Sequence, residues 1–421
     1  MRHFLLTLLL TVTLLPSATA QTVLDEITAH PEWSGNQSRV YPGAPDVALT
    51  PTPQGYLPFY MSHYGRHGSR YNWGYSDPVK TLQKAYDLGK LTPLGEQTLQ
   101  QLRQLAAEAY MREGELTQLG AEQHRGIAER MYRNFPEIFA SPVATIEARS
   151  TIVIRCILSM ENALQQLSGL NPQLTIRHDA SEHDMYFMNY SDHSYDSLRH
   201  AAHKVHRQFT EAQTHPERLM RTLFNDDRYW QDSLSAPALM RQLHTLAAHT
   251  QNTELRHQID LLPLFTPQEN YDLWQIGNAS WYIDHASSPL TEGRAPYSER
   301  NLLRRIIADA DSCLQLDHPN ASLRYGHDGN VMPLTCLLGL DGLDVQYSIE
   351  ELAERGWCDY KIIPMACNIQ MIFYKPTTTR GGEILVKVLR NEAEAHLPIP
   401  TDQWPYYRWS DVRAYYLDKL E

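Results

Sequence analysis

Cysteine is scarce in this chain of 421 residues, with five in all: Cys156, Cys313, Cys336, Cys358 and Cys367. So few, so scattered, cannot form a disulfide scaffold even in an oxidising compartment, and an odd count leaves at least one thiol free. Cys358 and Cys367 are near enough in sequence to pair, but connectivity does not follow from spacing. Long apolar runs are missing too. The stretch from Phe4 to Leu15 is interrupted by Thr7, Thr11 and Thr13 and falls well short of the roughly 20 residues that span a bilayer. With Arg2 before it and Pro16-Ser17-Ala18-Thr19-Ala20 behind, it reads as an export signal cut near Gln21. That predicts a periplasmic or secreted protein with no membrane insertion after cleavage. Positive charge is also in deficit: 37 Lys and Arg against 49 Asp and Glu, a net −12. Broad binding to nucleic acid or acidic membrane needs a basic surface and is excluded, so any anion site must be local. Repeats of solenoid length and low-complexity tracts are absent, and nothing in the composition bears on oligomeric state.

What is present is a long alternation of strand and helix signals. After residues 1–20, the segment Gln21 to Tyr56 is rich in Pro, Gly, Ser and Asn and is expected to wrap the surface. Leu57 to Tyr64 reads as the first strand, followed by helical patterns over Asp77–Leu91, Pro93–Arg112 and Gln118–Tyr132. The near-copies Leu91-Thr92-Pro93-Leu94-Gly95 and Leu116-Thr117-Gln118-Leu119-Gly120 mark two helix starts, with Thr92 and Thr117 as N-caps. A strand at Val143–Glu147 and a helix at Thr151–Leu167 come next. From about Ile176 to Ser298 helical stretches dominate, at Asp196–Ala212, Ala236–Ala248 and Gln268–His285, and no strand pattern is convincing. The alternation then resumes: helix Glu299–Cys313, strand Ala321–Tyr325, helix Asn330–Leu338, strands Ile369–Tyr374 and Ile384–Leu389, helix Trp409–Leu420. The expected fold is a layered α/β core, residues 21–175 and 299–421, with a central mixed, mostly parallel sheet flanked by helices. Residues 176–298 form a helical cap insertion. Ligands of such sheets sit at the carboxyl ends of the strands.

Ser62-His63-Tyr64-Gly65-Arg66-His67-Gly68-Ser69-Arg70 leaves the first strand at such an end. Guanidinium forks at Arg66 and Arg70 suit the acceptor oxygens of a phosphoryl group, and neutral imidazole at His67 is a competent nucleophile for phosphorus. Gly65 and Gly68 fit a turn that brings backbone close to a ligand. Arg155 lies in an otherwise nearly apolar helix, in one polar stripe with Thr151 and Ser159. A guanidinium there needs an anionic partner, either a ligand or a buried structural carboxylate. Leu323-Arg324-Tyr325-Gly326-His327-Asp328-Gly329-Asn330 repeats the order strand, glycine turn, helix. Amides at that helix start favour an anion, His327 can donate to a phosphate oxygen, and a partly desolvated Asp328 can hold a proton for a leaving alcohol. The pairs His178-Asp179 and His183-Asp184 lack that context.

These segments resemble the histidine acid phosphatase branch of the histidine phosphatase superfamily, with its early Arg-His-Gly-x-Arg and its late His-Asp or His-Ala-Glu. The likeness spans nearly the whole mature chain. Arg155-Cys156 resembles that family's third phosphate arginine and both Leu-Thr-x-Leu-Gly segments are familiar in it, while Leu323-Arg-Tyr-Gly-His-Asp328 with Asn368-Ile-Gln-Met-Ile-Phe-Tyr374 is similar to the multiple inositol polyphosphate phosphatases. The resemblance implies that His67 becomes phosphorylated, that Arg66, Arg70, Arg155 and His327 clamp the phosphate, and that Asp328 protonates the leaving oxygen, with no metal or cofactor. It also implies a small phosphate ester as substrate, inositol phosphates leading and a broad or sugar-phosphate range as the alternative. A non-catalytic secreted anion-binding protein is the competing class. Two positions depart from the pattern. Asn72 stands where proline is common, and His327-Asp328 is the acid-phosphatase form where inositol polyphosphate phosphatases typically carry His-Ala-Glu. In the insertion, Arg199, Lys204 and Arg207 are either outer-phosphate contacts or a solvated helix face. The 19 histidines would swing the surface potential positive in mild acid.

Overall fold

The computed structural model describes residues 22–43, 45–378 and 382–421, so the segment read as an export signal lies outside the described residues. Side chains of β1 (Tyr56–Arg66), buried on both faces from Tyr60 onward, set the layering: Tyr60 and Tyr64 join one apolar cluster and Met61 the one on the opposite face. The other strands are β2 (Thr145–Ser150), β3 (Thr175–Asp179), β4 (Asn320–Gly326), β5 (Asn368–Pro376), β6 (Leu385–Arg390), β7 (Ala393–Glu394) and β8 (Tyr407–Arg408). Their order is β3-β2-β4-β1-β5-β6-β7, with β8 also on β6. Pairings among β3, β2, β4 and β1 are parallel and the rest antiparallel, which gives the expected mixed α/β sheet.

Helices cover both faces. On one, α3 (Gln118–Asn134) and α4 (Ile154–Leu170) bring Ile127, Met131, Met160 and Leu164 against Met61, Leu323 and Ile372. The opposite face packs α9 (Arg300–Cys313), α10 (Asp328–Leu338) and α11 (Trp409–Lys419) on Tyr60, Met371 and Val386. A third cluster joins α1 (Ser76–Asp87) and α2 (Pro93–Glu108) to α6 (Glu217–Leu223) and α7 (Ala236–His249). Two more helices of that region, α5 (Asp196–Ala212) and α8 (Pro267–His285), lie against each other. Thus the helical layer draws on residues before β2 as well as after β3.

Register decides where the chemistry gathers. Arg66 pairs with Gly326 and Ser150 with Tyr325, so β1, β2 and β4 end on one line. β5 starts on the same line, with Asn368 opposite Gly65.

Three expectations need correction. A strand, β3, does form at the start of the stretch read as strandless. It is an edge strand whose Arg177, His178 and Asp179 are exposed or partly so, and it carries no apolar alternation to betray it. The segment before β1 wraps the surface only over its second half, where residues 45–55 are exposed or partly so: Val23–Ala29 is a helix that buries Val23 and Ile27, and Ser34, Asn36 and Ser38 are buried. Helix α4 begins at Ile154, so Thr151 lies in the turn before it and not on its stripe. The neighbours Ile152, Ile154 and Leu158 are exposed instead of facing the core. The pairing of the cysteines, which spacing left open, is answered as well: all five are free thiols.

Candidate active site

Arg66 and His67 leave β1 into a space bounded by the starts of α4, α10 and β5. The backbone there is tied to its neighbours: His67 N–H donates to Gly326 O at 2.9 Å, Arg66 N–H to Cys367 O at 2.8 Å, and Ala366 N–H to His67 O at 3.0 Å. The His67 ring is buried, and its Nδ1 lies 2.8 Å from Gly68 O. A carbonyl only accepts, so Nδ1 carries the proton and Nε2 keeps its lone pair. Burial, then the charges of Arg66 and Arg155, hold this imidazole well below its ordinary pKa. It is therefore neutral, the state a nucleophile requires.

Around it stand the three arginines. Arg66 is fully buried; its Nη1 donates to Gln37 O at 2.6 Å and Ile363 O at 2.9 Å, and its Nη2 is ion-paired with Asp328 Oδ2 at 2.7 Å. The Nε atoms of Arg66 and Arg155 are buried without a hydrogen-bond partner, as donors awaiting an anion would be. Arg155 sits on the first turn of α4, and among the described residues neither it nor Arg70 has a carboxylate within ion-pair distance. The carboxylate alternative for Arg155 is thereby removed. Burial and the neighbouring Arg66 push Arg70 down to about 9.

His327 is the N-cap residue of α10, with extended backbone, and its ring meets that of His67 edge-on at 5.8 Å. Its Nε2 lies 3.2 Å from Thr151 Oγ1, and burial above all pushes it down to about 4. Asp328 opens the helix, and its Oδ1 accepts from Gly329 N–H at 3.0 Å. Burial raises this carboxyl, but Arg66, His327 and Arg70 together outweigh it and hold it below the usual carboxylate range. In the free pocket Asp328 is thus ionised, contrary to the expectation that desolvation alone would keep it protonated.

The remaining candidates separate. Arg199 faces α8, 3.9 Å from Asp284, and its charge reaches His285, which also feels Asp328. Lys204 and Arg207 stay exposed. The neighbouring histidines are otherwise engaged: His203 on Asp284 at 3.0 Å and His206 on Ile276 O at 2.9 Å. Of the rejected pairs, His178 bonds Glu161 and Asp184 bonds Arg149. The acid-induced swing in potential belongs to exposed histidines only, since burial keeps His63, His124, His244 and His249 neutral along with His67 and His327. A cavity of about 570 Å³ lined by Pro45–Thr52 lies elsewhere, and its Arg130 and Glu392 are paired with each other.

Sequence reasoning missed the supports of the catalytic loop. Ser69 N–H donates to Gln123 Oε1 at 2.8 Å, and Ser69 Oγ donates to Asn252 Oδ1 at 2.7 Å. His249 donates from Nε2 to Arg70 O at 2.8 Å and accepts at Nδ1 from Ser38 Oγ at 3.1 Å. The twin Leu-Thr-x-Leu-Gly segments were the available signal, and they are more than caps. Thr117 N–H and Oγ1–H both donate to Ser69 O, at 2.9 and 3.1 Å, while its Oγ1 accepts from Gly120 N–H at 3.2 Å. Thr92 likewise receives Leu223 O on its N–H at 2.9 Å and Thr222 O on its hydroxyl at 2.6 Å. Each motif docks a passing chain segment, and the second docks the loop after His67.

Comparison with known proteins agrees with this arrangement. The model of the histidine phosphatase superfamily (branch 2) matches residues 65–391. Among solved structures, the multiple inositol polyphosphate phosphatase of Bifidobacterium longum, in complex with inositol hexasulfate, is similar at a TM-score of 0.72. It is 18% identical over 90% of this chain and 96% of that one. A phytase from D. castellii gives 0.65 at 13% identity over 92% and 85% of the two chains. Hafnia alvei phytase with tartrate gives 0.54 at 14% over 88% and 98%. At these identities the likeness speaks for the fold. No curated protein matches the sequence.

Proposed function

The chain belongs to branch 2 of the histidine phosphatase superfamily and is a histidine-type phosphatase; from that premise we propose an exported phosphomonoesterase that works through a phosphohistidine at His67, with inositol phosphates as its leading substrates. The observation that carries the reading is the neutral, buried His67, its Nδ1–H bound by Gly68 O, beside two arginines that lack carboxylate partners. Phosphoryl transfer is catalysed mainly by positioning and by charge stabilisation, which this group of side chains supplies.

In the first step Nε2 of His67 forms a bond to phosphorus as the ester P–O bond breaks, and the electron pair of that bond leaves on the alcohol oxygen. Asp328 supplies the proton. It is ionised in the free pocket, but a bound phosphate dianion competes for Arg66 and adds negative charge beside the carboxylate, and both effects raise its affinity for a proton. In the second step water attacks the phosphohistidine, Asp328 takes the water proton, and orthophosphate leaves with His67 neutral again. Arg66, Arg70, Arg155 and His327 hold the equatorial oxygens throughout. Of the outer contacts considered, Arg199 lies 3.5 Å from Asp196 and 3.9 Å from Asp284, while Lys204 and Arg207 are exposed.

The test is phosphate release from phytate, glucose 1-phosphate and p-nitrophenyl phosphate by the wild type and by His67→Ala. Release by the wild type and none by a folded His67→Ala is the expected result. Full activity in that variant would refute the phosphohistidine mechanism, and no release from phytate would refute the substrate assignment.

A further inference from the structure

Trp73 follows the catalytic loop and is left 47% exposed, unusual for so large an apolar ring. The centre of the indole lies 4.1 Å from Cζ of Arg70 and 5.7 Å from Cζ of Arg155. These are the two clamp arginines without a carboxylate, whereas Arg66 has Asp328. Their like charges repel, and Arg155 is among the causes that lower Arg70. The six-membered ring of the indole packs on Gly114, whose φ is +79° and where a Cβ would lie 3.0 Å from Trp73 Cε2 and overlap Cζ2. Gly114 is itself fixed by its N–H bond to Tyr71 O at 3.1 Å. The ring therefore has close backbone contact at Gly114 and two guanidiniums within about 6 Å of its centre.

We propose that Trp73 is a positioning residue whose π face holds Arg70 and Arg155 together in the empty pocket, so that two arms of the phosphate clamp are set before the substrate arrives. A guanidinium over an indole is attracted by the ring quadrupole, and two such contacts oppose the repulsion that would otherwise splay the arms into solvent. The proposal rests on the phosphatase reading. Because the clamp grips phosphate in the ground state as well as the transition state, loss of the brace should act on KM and on product inhibition and largely spare kcat.

The experiment is calorimetric titration of the full chain with inorganic phosphate, alongside p-nitrophenyl phosphate kinetics, for wild type, Trp73→Phe and Trp73→Leu. Leucine fills space without a π face and phenylalanine restores one. Trp73→Leu should weaken phosphate binding and raise KM about tenfold, with kcat within about threefold, and Trp73→Phe should recover most of the loss. Equal binding by wild type and Trp73→Leu, or a Phe variant as weak as the Leu variant, would overturn the brace. If the wild type hydrolyses no ester while the graded binding series holds, the brace stands and the phosphatase reading falls.

Discussion

Gly120→Ala and Gly95→Ala are the same mutation in the same motif, and they should have different consequences. Helix propensity predicts that each stabilises its helix by roughly 1 kcal/mol. Packing predicts the reverse. A Cβ at Gly120 would lie 2.8 Å from Ser69 N and overlap Ser69 O, and one at Gly95 would overlap Leu223 O and come within 3.2 Å of its carbonyl carbon. Ordinary contact begins at 3.4 Å, so the segment docked on Gly120 must retreat by at least 0.6 Å. It cannot rotate aside, because Thr117 holds Ser69 O with two hydrogen bonds. Overlap of this kind costs roughly 1–3 kcal/mol, which exceeds the propensity gain, so both variants should be net destabilised yet folded. Activity separates them. At Gly120 the displaced backbone is two residues from His67, and a shift approaching 1 Å at reacting groups costs up to about a hundredfold. At Gly95 the displaced backbone is the end of α6, remote from the strand-end line. The assay is kcat/KM with p-nitrophenyl phosphate beside thermal melts. Gly120→Ala should lose about 10- to 100-fold and Gly95→Ala less than about threefold, at similar losses of stability. Equal activity losses would refute the claim that the second motif positions the catalytic loop.

Asp328→Asn should reduce hydrolysis of alkyl esters such as inositol phosphates more than that of p-nitrophenyl phosphate, whose leaving group needs little protonation; equal losses in rate would count against the proton donor. Anion binding should draw a proton onto Asp328, because it removes Arg66 from the carboxylate that Arg66 now holds low. Calorimetry with sulfate near pH 5, in two buffers of different ionisation enthalpy, should therefore show proton uptake that disappears in Asp328→Asn, and uptake that persists there would assign it elsewhere. Burial pushes His63, His124 and His249 down to about 3 and His244 to about 4 from 6.5. A folded pKa below the unfolded one means that the unfolded chain takes up protons first. Their contribution is complete above pH 6.5 and is lost as pH falls toward the folded values, on the order of 1 kcal/mol per group per pH unit. The urea midpoint should drop from pH 7 to pH 5; an unchanged or higher midpoint would contradict the buried neutral state.

Local sequence singled out the loop at His67 as a candidate phosphate pocket, but a short Arg-His motif recurs by chance, and its reading as a nucleophile loop drew on Arg155 and the His327-Asp328 pair far along the chain. The α/β class was legible locally: most core strands are short apolar runs and most helices carry a stripe, so their identity lies within a dozen residues. Strand β3 was not legible, since an edge strand buries little and Thr175–Asp179 is nearly all exposed. Nor could sequence give the charge of Asp328. Its burial and its partner Arg66 act in opposite directions, and only their distance, 2.7 Å, decides which prevails. The ring of Trp73 was unremarked for the same cause: a tryptophan near an arginine means nothing until the glycine behind it is in place. The sequence by itself determined which groups are available: an imidazole, guanidinium arms and a carboxyl, the proposed nucleophile, clamp and acid, on three separate strand-turn segments. Only the tertiary structure decided how they act, because parallel register brings those strand ends to one line, and burial and distance set each proton and each charge.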